Sequence, residues 1–556
     1  MKVGLTFYDY PSLHFPLDSI QYVARSLMEA VSTRHEVVFL PPEYVYRSDE
    51  DARRMSEEFV RNCDVLVGLP SEPVLAARQR IGSSVPFVCF LLGMLPRGGW
   101  ALRGAIRHLT TRDVLLANST ADVELAHKFF CNAQVRLVPF AFDERVFYPL
   151  DAAERSAARV KHGFGEQDRI VLYAGRVTLE KNVHTLLRIF GTVQELVPDA
   201  CLVIAGPTLG LDFAEFGVIP LNLENTIRKL IVRLGIPEGR VRMIGHTDSG
   251  RLRELYNIAD VKANLSLHHD ENFGLAQVEA MACGAPVVGT AWGGLRDTIV
   301  DGTSGYRVST VPTPLGVKVN WWEAVNRIVD ILQDPRARER LRVTCARHAV
   351  ERYPQSSYEA TLNGIISAST ERGERAPEAL RATGFAEEFW SVCNPYEGAC
   401  APYRRGSRAT ELYQELMGPF TGASPKHVPA GEECTPGQVL CLAAPVAEAG
   451  QGRFRLDDPL YPLMFEVPQA HLGAFRAILA AMHVEPTMTI KRLSHAHPDR
   501  FPDALDTLDW MLSRGLLLRS VSVRGWVPPE EIGRSMSEPL FRIEHLDRMD
   551  TDFVVY

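Results

Sequence analysis

Two cations stand together at a predicted strand-to-helix turn. Ile170–Ala174 (IVLYA) reads as a buried strand and His184–Val197 as a helix, and Gly175, Arg176 and Lys181 fall on the turn between them. Backbone N–H groups at a helix start favour anions. Arg can grip a diphosphate with two N–H bonds, and Lys adds a point charge. Read alone, the pair is also compatible with a solvated cationic loop. A second group lies at Glu271-Asn272-Phe273-Gly274-Leu275, with Glu279 further on. Glu271 precedes a helix predicted over Leu275–Ala282, and Glu279 lies more than one turn inside it. Eight helical residues span roughly 12 Å, too far for two carboxylates to share a proton. They suit hydroxyl groups at opposite ends of a sugar nucleotide. The helix N–H groups then face the intervening phosphates, and Gly274 lets the backbone come close. A merely solvated Glu279 fits poorly beside the small apolar run AMACGAPVV.

Three other groupings invite chemistry and support it less. His268, His269 and Asp270 lead into Glu271, but adjacent residues of an extended segment point to opposite faces, so a shared metal is not expected. Cys393, Cys400, Cys434 and Cys441 form two pairs with six residues between partners. Structural zinc uses shorter spacings. Near the C-terminus, a helix over Asp503–Arg514 would fill the place of a recognition helix, yet it carries Asp503, Asp506 and Asp509, which repel phosphate. A protein or peptide partner suits it better than nucleic acid.

The elements that must carry these groups alternate strand and helix. Lys2–Phe7, Glu36–Leu40, Val65–Leu69, Val85–Leu91 and Val114–Ala117 are short apolar runs, and Ile20–Val31 is apolar at helical spacing. A second series runs through Cys201–Ala205, Asn225–Leu234, Val241–Ile244, Gly250–Ile258, Val261–Leu265 and Pro286–Gly289. Alternation of this kind implies parallel sheets covered on both faces, with ligands beyond the strands' carboxyl ends. Two such domains in tandem imply a cleft as the ligand site. Beyond Thr370 the chain turns polar and Pro/Gly-rich. Helices are predicted over Ala470–Met482 and Met488–His495, and a strand over Leu516–Val523, as in a small winged-helix module. The expected domains are 1–147, 148–352, a returning helix 353–370, an irregular linker 371–460, the winged-helix module 461–535 and a tail 536–556.

The 556 residues are 46% hydrophobic and 23% charged, with a net charge of -8. Overall disorder and a chain built to neutralise nucleic-acid phosphates are both excluded. Ten cysteines, mostly in apolar runs, imply buried thiols in a reducing cytosol rather than a disulfide framework. The longest apolar stretch, Val85–Pro96, is too short to span a bilayer. The first residues read as a strand rather than a leader. A cytoplasmic protein is expected.

The segment Gly175–Gly305 resembles the nucleotide-binding domain of family-4 glycosyltransferases, which have the two-domain GT-B architecture. The matching pieces are GRVTLEK, VIAGP, VRMIGHTDSGRLRELYNIADV, ENFGLAQVEAMACGAPVV, GGLRDTIVDG and SGYRV. Asn118-Ser119-Thr120, VRLVPFAFDERVFYP and RYPQSSYE extend the resemblance more weakly over residues 1–370. It implies an α/β fold with two Rossmann-like domains and a retaining transfer of sugar from a nucleotide donor, taken here as a UDP-sugar. No metal or other cofactor is implied. Arg176, Lys181 and Glu271 take the catalytic roles, and Gly175, Gly274, Leu275, Glu279, Phe273, Asn272 and His246 bind the donor. His14 and Ser119 are the candidates on the acceptor side. Two features depart from the family. Pro11–Asp18 stands where many members have a Gly-Gly phosphate loop, and Leu92 stands where many have a His. They motivate an alternative, an inactive nucleotide-sugar sensor or scaffold acting through the C-terminal module. The acceptor is not legible in the sequence.

Overall fold

The computed structural model describes residues 1–8, 18–45, 47–93, 95, 104–179, 181–208, 211–214, 217–220, 223–268, 271–371, 377–392, 407–424, 427–429, 432, 438–457, 462–490, 492–493, 501–521 and 536. The chain divides into two compact bodies. The first comprises Met1–Glu144, His269–Val278 and Ala349–Asn394, and the second Arg145–His268, Glu279–His348 and Pro395–Tyr556.

The first body is built on a parallel sheet of β1 (Lys2–Leu5), β2 (Glu36–Phe39), β3 (Val65–Gly68), β4 (Phe87–Phe90), β5 (Val114–Ala117) and β6 (Gln134–Leu137), in the order β2-β1-β3-β4-β5-β6. β3, β4 and β5 are buried at every residue, as strands covered on both faces must be. Burying Asp113 at the start of β5 is tolerated because its carboxylate is saturated. Arg78 Nη1 reaches it at 2.6 Å, and Phe87 N and Thr110 N each donate to it at 2.8 Å. The helix Gln355–Thr370 joins this body through Asn363 Nδ2, which donates to the Ala30 carbonyl at 2.9 Å.

The second body holds β7 (Arg169–Ala174), β8 (Ala200–Ala205), the hairpin β9 (Leu211–Ala214) and β10 (Gly217–Pro220), β11 (Val241–Gly245), β12 (Val261–Asn264), β13 (Val287–Thr290) and β14 (Gly305–Val308). Its parallel sheet has the order β11-β8-β7-β12-β13-β14. From β7 the chain winds outward through β8 to β11, then returns to β12 and winds the other way. The order reverses between β7 and β12, and at such a point the connections diverge and leave a crevice at the strands' carboxyl ends. Both sheets have the α/β, Rossmann-like form expected of the GT-B class.

The reading of residues 371–460 as irregular linker is corrected. Helices Gly384–Val392 and Ser407–Met417 lie in it, as do β17 (Gln438–Leu442), β18 (Val446–Gly450) and β19 (Arg453–Asp457); β15 (Thr310–Thr313) and β16 (Gly316–Val319) precede them as a hairpin. A module boundary at 461 is corrected too, because β20 (Pro462–Glu466) pairs with β19. Gly450 and Gly452, which belong to the Pro/Gly-rich stretch, mark the turn between the antiparallel strands β18 and β19. The second helix of the expected winged-helix module is corrected at its start: β21 (Thr487–Thr489) takes its first residues and pairs with β17, which pairs in turn with β22 (Leu517–Val521), while Ile490, Arg492 and Leu493 are helical. A span this short cannot be told as strand or helix from its residue types alone. Helices Gln469–Val484 and Phe501–Arg514 do form, and Asp506 and Asp509 are exposed on the latter.

These C-terminal elements pack within the second body rather than hanging from it. The buried Trp321 donates from Nε1 to the Leu442 carbonyl at 2.6 Å, and Asn320 Nδ2 to the Arg519 carbonyl at 3.1 Å. The buried Arg188 of helix Val183–Leu196 is ion-paired with Asp457 of β19. No helix among the described residues is long and apolar enough to cross a membrane.

Candidate functional site

In the second body, three neighbouring strands end in glycine. Gly175, Gly206 and Gly245 follow or close β7, β8 and β11 with φ of 151°, 142° and 69°. They are joined laterally: Gly175 N donates to the Ala205 carbonyl at 2.9 Å, and Gly206 N to the Gly245 carbonyl at 2.8 Å. A Cβ on Gly206 would stand 1.9 Å from the Gly175 carbonyl oxygen, so only glycine fits there. The result is a terrace of bare backbone at the carboxyl edge of the sheet, with Gly175 and Gly245 exposed. His246 follows Gly245 and is exposed.

Arg176 and Lys181 leave this terrace at the switch point. Tyr173, 2% exposed, holds the turn by donating its hydroxyl to the Arg176 carbonyl. Val177 N donates to the Pro207 carbonyl at 2.9 Å, and Val177 is fully buried, which leaves Arg176 half-exposed beside it. Asn182 then occupies the N-cap of helix Val183–Leu196 in the left-handed region (φ 58°, ψ 32°), without a side-chain capping bond. Its side-chain amide is fully buried, and neither polar atom has a hydrogen-bond partner among the described residues. The helix therefore opens with N–H groups its cap residue does not satisfy, and Lys181 precedes them half-exposed. Sequence reading missed Asn182 and Gly206. An Asn directly before an apolar periodic run was the available signal for the first.

Glu279 also belongs to the second body. Its Oε2 accepts from Tyr256 Oη at 3.4 Å. Burial, then the Glu279 charge, pushes the Tyr256 hydroxyl well above the ordinary phenol range, so Tyr256 stays a donor at any physiological pH. Half-exposed Glu279 is thereby held at one oxygen. His268 is 1% exposed, and its carbonyl accepts from Trp292 Nε1 at 2.8 Å. His269 and Asp270 lie outside the described residues, and among the described residues no group of three His, Cys, Asp or Glu could hold a metal ion.

Glu271, Asn272, Phe273, Gly274 and Leu275 group with the first body. Glu271 is 7% exposed, and Gln277 Nε2 donates to its Oε1 at 3.4 Å. Asn272 Nδ2 donates at 3.2 Å to Asn118 Oδ1, at the carboxyl end of β5, and Asn118 in turn donates to the Val138 carbonyl at 2.8 Å. Phe273 packs edge-on against Phe140 and Tyr353 at 5.7 and 5.4 Å. It is an anchor rather than a ligand contact. Gly274 has φ 88°, and its carbonyl accepts from Gln277 N at 3.0 Å to start the helix Leu275–Ala282; Leu275 is buried. Ser119 is fully buried and caps helix Thr120–Phe129, accepting from Asp122 N at 3.2 Å, which explains it without a ligand. His14 lies outside the described residues. Leu92 is in the left-handed region (φ 43°) just past β4. Of the four spaced cysteines only Cys441 is described; it is fully buried in β17, where burial pushes its thiol far above the usual range.

Residues 154–345 match the sequence model of a family described as glycosyl transferases group 1. A D-inositol 3-phosphate glycosyltransferase of Segniliparus rotundus is 29% identical over 287 residues, 51% of this chain and 58% of that protein. One of the same name from Mycolicibacterium gilvum is 40% identical over 155 residues, 28% and 32% of the two chains. The chain thus spans little more than half the length of the first of these relatives and about a third of the second. A glycosyltransferase structure from Rickettsia africae aligns with a TM-score of 0.50 and 13% identity, covering 67% of this chain and 99% of that one, which is a likeness of fold.

Proposed function

We propose that the protein is a retaining glycosyltransferase that moves a sugar from a UDP-sugar to a hydroxyl-bearing acceptor. The reading rests chiefly on the glycine terrace with Arg176 and Lys181 at the switch point of the second sheet. Bare backbone admits a phosphate closely, and two cations beside open helix N–H groups offset its charge. In this scheme Arg176 and Lys181 grip the donor diphosphate and stabilise the charge that builds on it as the glycosidic C–O bond breaks. The acceptor oxygen bonds to the anomeric carbon on the face the diphosphate leaves, and a leaving phosphate oxygen takes the acceptor's proton. Glu271 accepts from hydroxyls of the donor sugar. Glu279, held at one oxygen by Tyr256, accepts from the ribose hydroxyls. The scheme needs no covalent enzyme nucleophile, unlike a retaining glycosidase, and assigns no step to a metal.

Titration calorimetry with UDP, GDP, ADP and TDP fixes the donor, followed by a product assay with the matching sugar nucleotides. Each charge-assisted bond is worth about 1.5–3 kcal/mol, so Lys181→Ala should weaken diphosphate binding by roughly 10- to 100-fold. Sugar release should fall at least as far, with the fold kept. Full activity in that variant refutes the assignment. Tight binding of a sugar nucleotide without turnover would favour the sensor reading.

A further inference from the structure

The segment Pro419–Ser424 lies well beyond residue 345, where the glycosyl-transferase match ends. Within the second body it runs as a strap past the residues that follow β13 and β14. Gly293 N donates to the Phe420 carbonyl at 2.8 Å, and Thr310 N to the Gly422 carbonyl at 3.0 Å. Ser424 N donates to Ser309 Oγ at 2.8 Å, and the Arg296 guanidinium donates to the Pro419 carbonyl. The approach is tight, since a Cβ on Gly422 would stand 3.1 Å from Ala291 Cβ and 3.3 Å from its carbonyl oxygen.

The strap seats Phe420 flat against Trp292, with ring centroids 5.5 Å apart and planes inclined by 25°. Both rings are fully buried. A stacked neighbour restrains the plane of the indole and so the direction of its N–H. That N–H is spent on the His268 carbonyl, at 2.8 Å. Thr290 Oγ1 ties the same loop by donating to the Ser266 carbonyl at 2.7 Å. This loop leaves β12 at the switch point, and the chain reaches Glu271 three residues after His268.

We infer that Phe420 is a positioning residue for sugar transfer, acting through Trp292 on the Leu265–His268 loop. The inference rests on the donor-site reading above. It makes a segment of the C-terminal region part of the working enzyme, and it separates two functions within the site. The diphosphate grip depends on Arg176 and Lys181, whereas presentation of the sugar depends on the loop that Phe420 and Trp292 steady.

The test uses the full chain with Phe420→Leu, Trp292→Phe and the double variant. Phe420→Leu keeps apolar bulk without the flat ring, and Trp292→Phe keeps a ring without the N–H. Small misplacements at a reacting centre are costly, so each single variant should lower kcat about tenfold or more. The Kd for UDP by calorimetry should stay within about twofold of wild type, because the diphosphate grip is untouched. The double variant should be little worse than either single one, as for two links of one relay. Additive losses, an unchanged kcat, or a Kd that weakens in step with kcat would overturn the inference. If the wild-type chain binds none of UDP, GDP, ADP and TDP, the donor-site reading fails by itself. Hydrogen exchange of the 264–268 backbone in the ligand-free protein then decides the relay: faster exchange in Phe420→Leu supports it and unchanged protection ends it.

Discussion

Replacing Asp457 by Ala removes the carboxylate facing Arg188, whose side chain is 2% exposed; that of Asp457 is 10% exposed. Arg188 sits in mid-helix, where its side chain is almost entirely sequestered from solvent. Lys318, 1% exposed, lines the same small cavity, so a second cation stands near the guanidinium once the carboxylate is gone. Breaking a buried pair from one side costs about 3–5 kcal/mol, and the second cation argues for the upper part of that range. Total domain stabilities are about 5–15 kcal/mol, so the loss is a large share of what holds the second body. Replacing both partners with apolar residues of similar size, Arg188→Met with Asp457→Leu, should recover most of it, because desolvation of the pair offsets most of its Coulomb gain. Urea denaturation of wild type, both single variants and the double variant, followed by tryptophan emission, closes the cycle. Trp292, Trp321 and Trp322 are buried in this body and report its unfolding. A loss under about 1 kcal/mol for Asp457→Ala would mean that the C-terminal strands do not seal Arg188, and the argument for an integral C-terminal region would fail.

Gly206→Ala puts a methyl 1.9 Å from the Gly175 carbonyl oxygen at a φ of 142°. It should destabilise the second body by roughly 2 kcal/mol or more and weaken UDP binding by at least tenfold, read by thermal denaturation and calorimetry; an unperturbed variant would mean the terrace is not as close-set as described. The imidazole of His184 is fully buried, and burial, then the Arg188 charge, holds it well below its ordinary 6.5; His427 is lowered too, by burial and Arg519. Each therefore takes up a proton less readily in the fold than in the unfolded chain. Stability is therefore full above pH 6.5 and falls below it, by up to about 1.4 kcal/mol per pH unit for each histidine that stays neutral. His184→Phe should flatten the decline between pH 6.5 and 5 in urea titrations; an unchanged slope refutes the assignment.

The parallel strands were legible because a strand covered on both faces must be apolar throughout, and VLVG, FVCF, VLLA and CLVIA carry that mark without context. The turn from Gly175 to Lys181 was legible as a strand-to-helix junction, because a glycine ends the apolar strand and an apolar periodic run follows it. The C-terminal region was not. Its strands are short and antiparallel, and short alternating runs with Pro and Gly look the same whether they form turns or linker. By itself the sequence determined the alternating α/β order, the glycines and charges at strand ends, and the acidic pair around one short helix, since each is a local matter of period and residue type. Only the tertiary structure decided that β7 and β12 are neighbours at the switch point, that Gly206 lies under the Gly175 carbonyl, and that Phe420 and Asp457 meet Trp292 and Arg188. Those contacts join residues more than a hundred positions apart, or strands that only sheet order brings together, and no local pattern of residues encodes such a meeting.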